Sequence, residues 1–292
     1  MPYKVFCRLI AAALVAGCFL SLSSGDFDSV FFAMAMGHYL LALFYSWKQI
    51  KRVALVPETR LPGLGLLFLT VPAIYYQWPN MVLFFGVHHT LTESYVVSDD
   101  RLRGRRALMG GRLLMNAFAY CIMLAREPVM RQFSQPLMLA GFAAACAVFY
   151  YFLFVERRSF AAAGLREQVF FELALLAAVI VSLAVGGFTY RQLLFYHVAI
   201  WLFLPLPGLA KKGTGNAAGY LLATAAVSLA CFAFTPLWDT PWKLSTHALE
   251  YAVISTGYAH VILSFGVSSL NPRWVQKIFA GRRLQLVNET VV

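Results

Sequence analysis

Six histidines are the residues of this sequence best suited to chemistry, because imidazole carries protons near neutral pH and is the commonest metal ligand in proteins. All six lie within apolar stretches or at their edges: His38, His88, His89, His197, His247 and His260. Ionisable side chains are costly inside a bilayer, so those kept there predict a functional site.

Four of these histidines are predicted to lie at one depth in a membrane. Counted at about 1.5 Å of helical rise per residue from the outer ends of the spans given below, they come out roughly 9 to 14 Å deep. They are His38, His88, His89 and His197. Imidazoles that converge in a low-dielectric cavity predict a transition-metal site, with Fe preferred over Cu or Zn because oxygen chemistry suits a lipid-facing site. Hydrogen bonding between helices by the same histidines is the alternative. Adjacent His88 and His89 project about 100° apart on a helix, so we expect one to bind metal and the other to support it.

Two further residues, His247 and Glu250, are three apart and therefore share a helix face. They are predicted to lie above the histidine layer, near the external surface. Their expected role is catalytic acid–base chemistry, with a lid or an additional metal ligand as alternatives.

A second polar group is predicted nearer the cytoplasm, roughly 6 to 9 Å inside the inner boundary by the same helical rise. Its members are Glu93, Arg112, Glu172 and His260. Opposite charges at equal depth on different helices offset the cost of burial, which predicts an ion-pair network around Arg112. A proton relay is the alternative, because His89 and Glu93 are four apart and share a helix face.

The elements that must position these residues are predicted from composition. With 60% hydrophobic residues, 13% charged residues and a mean hydropathy of +0.68, the 292-residue chain is too apolar for a soluble domain. We expect an all-α fold, a polytopic transmembrane helix bundle forming one integral membrane domain over 1–292, with a basic tail at 268–292. About ten apolar stretches approach the roughly 20 residues that a crossing needs. They lie at 6–24, 29–47, 61–78, 80–98, 107–125, 136–155, 168–188, 191–207, 217–236 and 246–267.

The basic residues set the expected orientation. With the N-terminus inside, 20 of the 24 Lys and Arg residues, Arg8 and Arg112 included, fall on the inner side. The outer side receives Arg126, Arg131, Arg191 and Lys243. Both chain ends are therefore expected in the cytoplasm of a bacterial cell, with the bundle in the inner membrane.

The net charge of +11 is explained by these loops and by membrane lipids as partners, and we expect no binding of nucleic acid.

The N-terminal segment allows a second interpretation. Val15, Ala16, Gly17 and Cys18 form a sequence that resembles a lipoprotein lipobox. The resemblance implies cleavage before Cys18 and lipidation of that residue, whereas an ordinary first span implies neither.

Three functions are compatible with these residues. The first is a membrane-bound, histidine-ligated metal oxidoreductase or oxygenase acting on a hydrophobic lipid or isoprenoid substrate. The second is a proton-coupled transporter with an intramembrane His and Glu pathway. The third is an electron-transfer protein that holds haem between two histidines.

Overall fold

The computed structural model describes residues 3–21, 24–45, 77–96, 102, 104–159, 162–233, 255–261, 264, 272, 274 and 275. These residues form helices joined by turns, and they include no β-strand. The helices are α1 (Tyr3–Ser21), α2 (Ser24–Tyr45), α3 (Gln77–Leu91), α4 (Arg106–Met123), α5 (Gln135–Val155), α6 (Ala162–Ala184), α7 (Tyr190–Phe203), α8 (Leu206–Lys211) and α9 (Thr214–Ala233). A π-helical turn, Thr92–Val96, extends α3, and a further helical stretch covers 255–261.

Four helical segments in the described part of the chain are long and apolar enough to cross a membrane. They are Tyr3–Ser21, Gln135–Val155, Tyr190–Lys211 and Thr214–Ala233, and the apolar segment Gln168–Ala184 is shorter. This is the pattern of a membrane protein. Most of the predicted span at 61–78, namely 61–76, lies outside the described residues, as does most of the one at 246–267.

The distribution of side chains is the reverse of that in a soluble protein. Large apolar side chains such as Leu222 and Phe154 are 71% and 63% exposed, whereas the guanidinium-bearing Arg112 is 0% exposed. Exposed apolar area of this extent needs an apolar surrounding. The apolar exterior is that of a protein that lies in lipid, and several charged side chains, such as Arg112 and Glu172, are buried inside it.

The described residues fall into two compact units. The first unit contains those within 1–15 and 82–200, and the second contains those within 16–81 and 201–292. In the first unit, α4 and α5 form an antiparallel pair with close contact. A Cβ at Gly111 would lie 3.2 Å from the main chain of Phe149, which is a tight contact, and one at Gly141 would clash with the ring of Phe118 at 2.5 Å. Small residues that let helix backbones approach are typical of packing in membranes.

In this first unit, two residues of the loop after α4 form hydrogen bonds with the end of α6 and the start of α7. The Arg126 side chain donates to the carbonyls of Val185 and Gly186 at the end of α6, where Gly186 and Gly187 have positive φ. The Glu127 Oε1 accepts a 2.6 Å hydrogen bond from the main-chain N–H of Tyr190, the first residue of α7. The first N–H groups of a helix have no hydrogen-bond partner within the helix, and the Glu127 carboxylate provides one for Tyr190.

In the second unit, α2 and α9 pack together, with Gly37 in direct contact with the Ser228 side chain. The Tyr220 Oη donates a 2.7 Å hydrogen bond to the Trp201 carbonyl. The predicted span at 191–207 is interrupted after Phe203, and Pro205 is the N-cap of the short helix α8. Proline interrupts helices because it lacks an N–H donor, and this explains the break.

Candidate functional site

Three imidazoles meet in the first unit. His88 and His89 lie on α3 and His197 lies on α7, and all three are at most 3% exposed. The ring centroid of His197 lies 5.1 Å from that of His88 and 5.7 Å from that of His89. We call these three residues the histidine cluster.

Aromatic rings surround the histidine cluster. Phe85 lies 5.4 Å from His197 in an edge-on arrangement, and the ring of Tyr120 lies 5.8 Å from that of His89, measured between centroids. Tyr120 is fixed by its Oη, which donates a 2.6 Å hydrogen bond to the Val82 carbonyl. Gly86 makes room for this ring, because a Cβ there would lie 2.5 Å from Tyr120 Cε1. Aromatic rings therefore pack closely around the imidazoles.

One nitrogen of the cluster has no protein partner among the described residues. The Nδ1 of His89 is buried and forms no hydrogen bond there. A buried polar atom without a partner costs about 1 to 3 kcal/mol, so such atoms in native proteins call for an explanation. A ligand, a water molecule or a metal ion at this nitrogen would provide one.

The fit of the cluster to a metal ion can be judged from its geometry. Two imidazoles that share one ion at about 2.1 Å per bond hold their ring centroids roughly 5 Å apart, close to the distances at His197. However, no group of three or more His, Cys, Asp or Glu side chains in the described ranges is arranged to hold a metal ion. The three rings are close together, at separations that packed aromatic rings also show, and their nitrogens do not converge as a set of three.

Two buried ion pairs lie in the same unit. Arg112 Nη2 is 3.0 Å from Glu172 Oε1, and Gln168 Nε2 donates a 2.6 Å hydrogen bond to that same oxygen. The second pair joins Arg8 of α1 to Glu93 in the π-helical turn. Four charged side chains, each at most 4% exposed, thus form two neutral pairs, which reduces the cost of their burial.

Phe171 joins the two pairs. The Arg8 guanidinium lies 3.4 Å from the Phe171 ring centroid, and the Arg112 guanidinium lies 4.9 Å from it. Arg8 Nη1 also donates a 2.7 Å hydrogen bond to the Phe171 carbonyl. Cation–π contacts of this kind gain strength where water is excluded.

Sequence reasoning missed the role of Arg8. It counted this residue with the cytoplasmic basic residues that set orientation, whereas the structure buries it against Glu93 and Phe171. One signal was available, because Arg8 lies inside the predicted span 6–24 rather than before it. Its partners, 85 and 163 residues away along the chain, gave no local signal.

The prediction for His260 requires correction. Depth counting placed it with Glu93, Arg112 and Glu172, roughly 7 Å or more below the layer of His38. In the structure His260 belongs to the second unit, and its ring centroid lies 4.7 Å from that of His38. Helical rise gives depth only from an assumed span end, and an error of about five residues moves a side chain by roughly 7 Å.

The remaining predicted residues are placed as follows. His38 lies on α2 in the second unit, beside Trp201 and His260, and its place in one layer with the histidine cluster stays a prediction. His247 and Glu250 lie outside the described residues.

Comparison with known proteins adds no assignment to this geometry. No protein-family model, no curated protein and no solved structure matches the chain.

Proposed function

We propose that the protein is a multi-pass inner-membrane protein of about ten spans with both ends in the cytoplasm. The four long apolar helices and the exposed apolar surface support a membrane location. The alternation of basic loops supports the number of spans and their orientation. Arg8 and Arg112 are buried ion-pair partners and no longer count as loop charges, which leaves eighteen basic residues inside against four outside.

Within this protein, the histidine cluster is the proposed centre of a metal-dependent oxidoreductase or oxygenase. One observation carries this proposal: three buried imidazoles lie at ring separations of 5.1 and 5.7 Å, near those of imidazoles that share an ion. Binding of one ion by all three residues would require the side chains to change their orientation, because their nitrogens do not converge as they stand. His89 Nδ1, which has no hydrogen-bond partner in the described part of the chain, is available for that change.

Iron is the proposed metal and a lipid or isoprenoid the proposed substrate. The buried rings of Phe85 and Tyr120 beside the imidazoles support an apolar substrate, which would enter from the surrounding lipid. Imidazole also binds Cu and Zn, and iron is chosen because oxygenation of hydrocarbons is common chemistry for histidine-bound iron.

Haem between two histidines fits the cluster less well. Imidazoles on opposite sides of one iron hold their ring centroids about 6 Å apart, with the macrocycle between them. The observed 5.1 Å between His88 and His197 is shorter, and Phe85 fills part of the surrounding space. An absorption band near 400 nm in the purified protein would contradict this argument.

Proton-coupled transport is the second candidate function, and Glu93 is the observation that favours it. Its Oε1 is buried and accepts no hydrogen bond from a described residue, and it lies four residues after His89 on a continuous helical segment. A carboxyl and an imidazole in this relation are suited to passing a proton. Proton flux into proteoliposomes, measured with a pH-sensitive dye, should fall in Glu93→Gln if this function is correct.

Metal content decides between the two candidates. Protein purified without chelators should contain about one transition-metal ion per chain by elemental mass spectrometry. His197→Ala should lose most of this metal, because it removes an imidazole that lies near both others. Phe195→Ala is the matched control, since it deletes a larger buried side chain two residues away on α7.

Each outcome has a clear meaning. Retained metal in Phe195→Ala and lost metal in His197→Ala support the metal centre. Equal losses in both variants indicate damage to α7 rather than loss of a ligand. Wild-type protein free of metal and haem refutes the metal proposal, and proton-coupled transport or hydrogen bonding between helices then remains as the role of these histidines.

A further inference from the structure

The start of α4 and the end of α5 bring a group of arginines together. The Arg105 guanidinium, just before α4, forms an ion pair with Glu156, just after α5. The antiparallel contact between Gly111 and Phe149 holds the two helix ends side by side. The sequence segments 99–106 and 156–158 contain six arginines and three acidic residues, so this end of the helix pair is strongly basic.

Three of these arginines have exposed side chains, and we call them the arginine group: Arg106, Arg157 and Arg158. All three are exposed, and none forms an ion pair with a described residue. The nearby carboxylate of Glu156 already binds Arg105. Guanidinium groups without a carboxylate partner bind phosphate oxygens well, because their planar fork matches two oxygens at once.

The arginine group lies at the boundary of the apolar surface. The guanidinium of Arg157 stacks 3.7 Å from the ring centroid of Phe154, and its Nη1 donates a 3.2 Å hydrogen bond to the Phe154 carbonyl. Phe154 and Tyr151 are each 63% exposed on α5, a helix that is long and apolar enough to cross the membrane. The charges therefore begin where the lipid-facing surface ends, which is the level of phospholipid phosphates.

We propose that the arginine group binds the headgroup phosphate of an anionic phospholipid. The three guanidiniums supply the charge, and the exposed rings of Tyr151 and Phe154 contact the upper part of the acyl chains. A lipid fits better than a free phosphate ion, because only a lipid makes both contacts. This site is independent of the histidine cluster and does not rest on the proposed metal chemistry.

Lipid binding to the full-length protein in detergent can be measured by native mass spectrometry with added phosphatidylglycerol or phosphatidylcholine. The wild type should bind phosphatidylglycerol more tightly than phosphatidylcholine. The triple variant R106Q/R157Q/R158Q should bind phosphatidylglycerol at least about tenfold more weakly, since each nearby basic residue contributes substantially to attraction of anionic lipid. Inorganic phosphate at millimolar concentration should not compete with the lipid.

A matched triple variant separates a site from general positive charge. R166Q/K211Q/K212Q removes the same number of exposed basic charges elsewhere and should bind phosphatidylglycerol as the wild type does. Equal weakening in both triple variants, or wild-type selectivity in the first, overturns the proposal. Competition by inorganic phosphate would identify a phosphate-ion site instead. If the first triple variant does not fold, Arg158→Gln provides the same comparison, with a weakening of about threefold expected.

Discussion

Removal of Arg8 should destabilise the protein strongly, because it leaves the carboxylate of Glu93 buried without its counter-charge. In the structure Arg8 forms an ion pair with Glu93, a hydrogen bond with the Phe171 carbonyl and a cation–π contact with the Phe171 ring. Breaking a buried ion pair by deleting one partner costs about 3 to 5 kcal/mol. At about 2 to 3 °C per kcal/mol for a chain of this size, Arg8→Met should lower Tm by about 6 to 15 °C.

A double-mutant cycle of R8M, E93Q and R8M/E93Q isolates the contribution of the ion pair to stability. The variant R8M/E93Q carries neither charge and should be more stable than R8M alone, since the uncompensated carboxylate is gone. Thermal unfolding in detergent, followed by fluorimetry and by the fraction of monodisperse protein, measures each variant. Lys4→Met on the same helix is the control and should change Tm by less than about 3 °C, because Lys4 is not buried. If R8M is as stable as K4M, or if E93Q adds further loss to R8M, the buried pair does not exist.

Two further predictions concern the orientation of the chain and the packing beside the histidine cluster. Reporter fusions after Arg166 and Lys212 should both report the cytoplasm, and a periplasmic signal at either would break the ten-span orientation there. Gly86→Ala should cost about 1 to 3 kcal/mol by displacing the ring of Tyr120 beside the histidine cluster. Gly110→Ala, at a helical glycine with open space around its Cα, should be neutral or slightly stabilising when Tm is measured, and a larger loss there than at Gly86 would contradict this interpretation.

Helix positions followed closely from the sequence where charge or proline separates the apolar runs. The predicted stretches 107–125 and 136–155 correspond to Arg106–Met123 and Gln135–Val155. Arg126 and Pro128 interrupt the apolar pattern between them, and Pro136 lies in the first turn of α5, where its missing N–H costs nothing. These helix ends depend on charged and proline residues at the boundaries themselves, so they could be predicted from the sequence.

Helix starts were less well predicted where polar residues lie inside a first turn. α2 begins at Ser24 rather than at 29, and Asp26 and Asp28, which were interpreted as a loop, belong to the helix. Acidic residues stabilise a helix N-terminus through its dipole, so their charge does not exclude helix there. The start of α6 at Ala162 rather than 168 also lies before the predicted boundary, and the helix includes Arg166 although its dipole does not favour a cation near the N-terminus.

The contacts of the candidate site could be predicted only in part. Helical rise gives a depth along one helix, but which residues meet depends on how each helix is rotated and which helices are neighbours. The rings of His89 and His197 lie 5.7 Å apart, while their common depth in a membrane stays a prediction; the contact between His38 and His260 was not expected from their estimated depths. Contacts between residues 163 positions apart, such as Arg8 with Phe171, require the tertiary structure.

The same contacts of Arg8 bear on the fate of the N-terminal segment. Cleavage at the lipobox-like sequence would remove everything before Cys18, including the buried residues Cys7, Arg8 and Ala11 of α1. Glu93 would then keep a buried charge without a partner, at the cost of about 3 to 5 kcal/mol estimated above. We therefore expect the mature protein to retain Arg8 and to carry an unmodified Cys18 thiol. Intact-mass measurement of protein purified from membranes tests this directly. A stable, monodisperse protein that begins at a lipidated Cys18 would show that neither Arg8 nor its pair with Glu93 is needed for the fold.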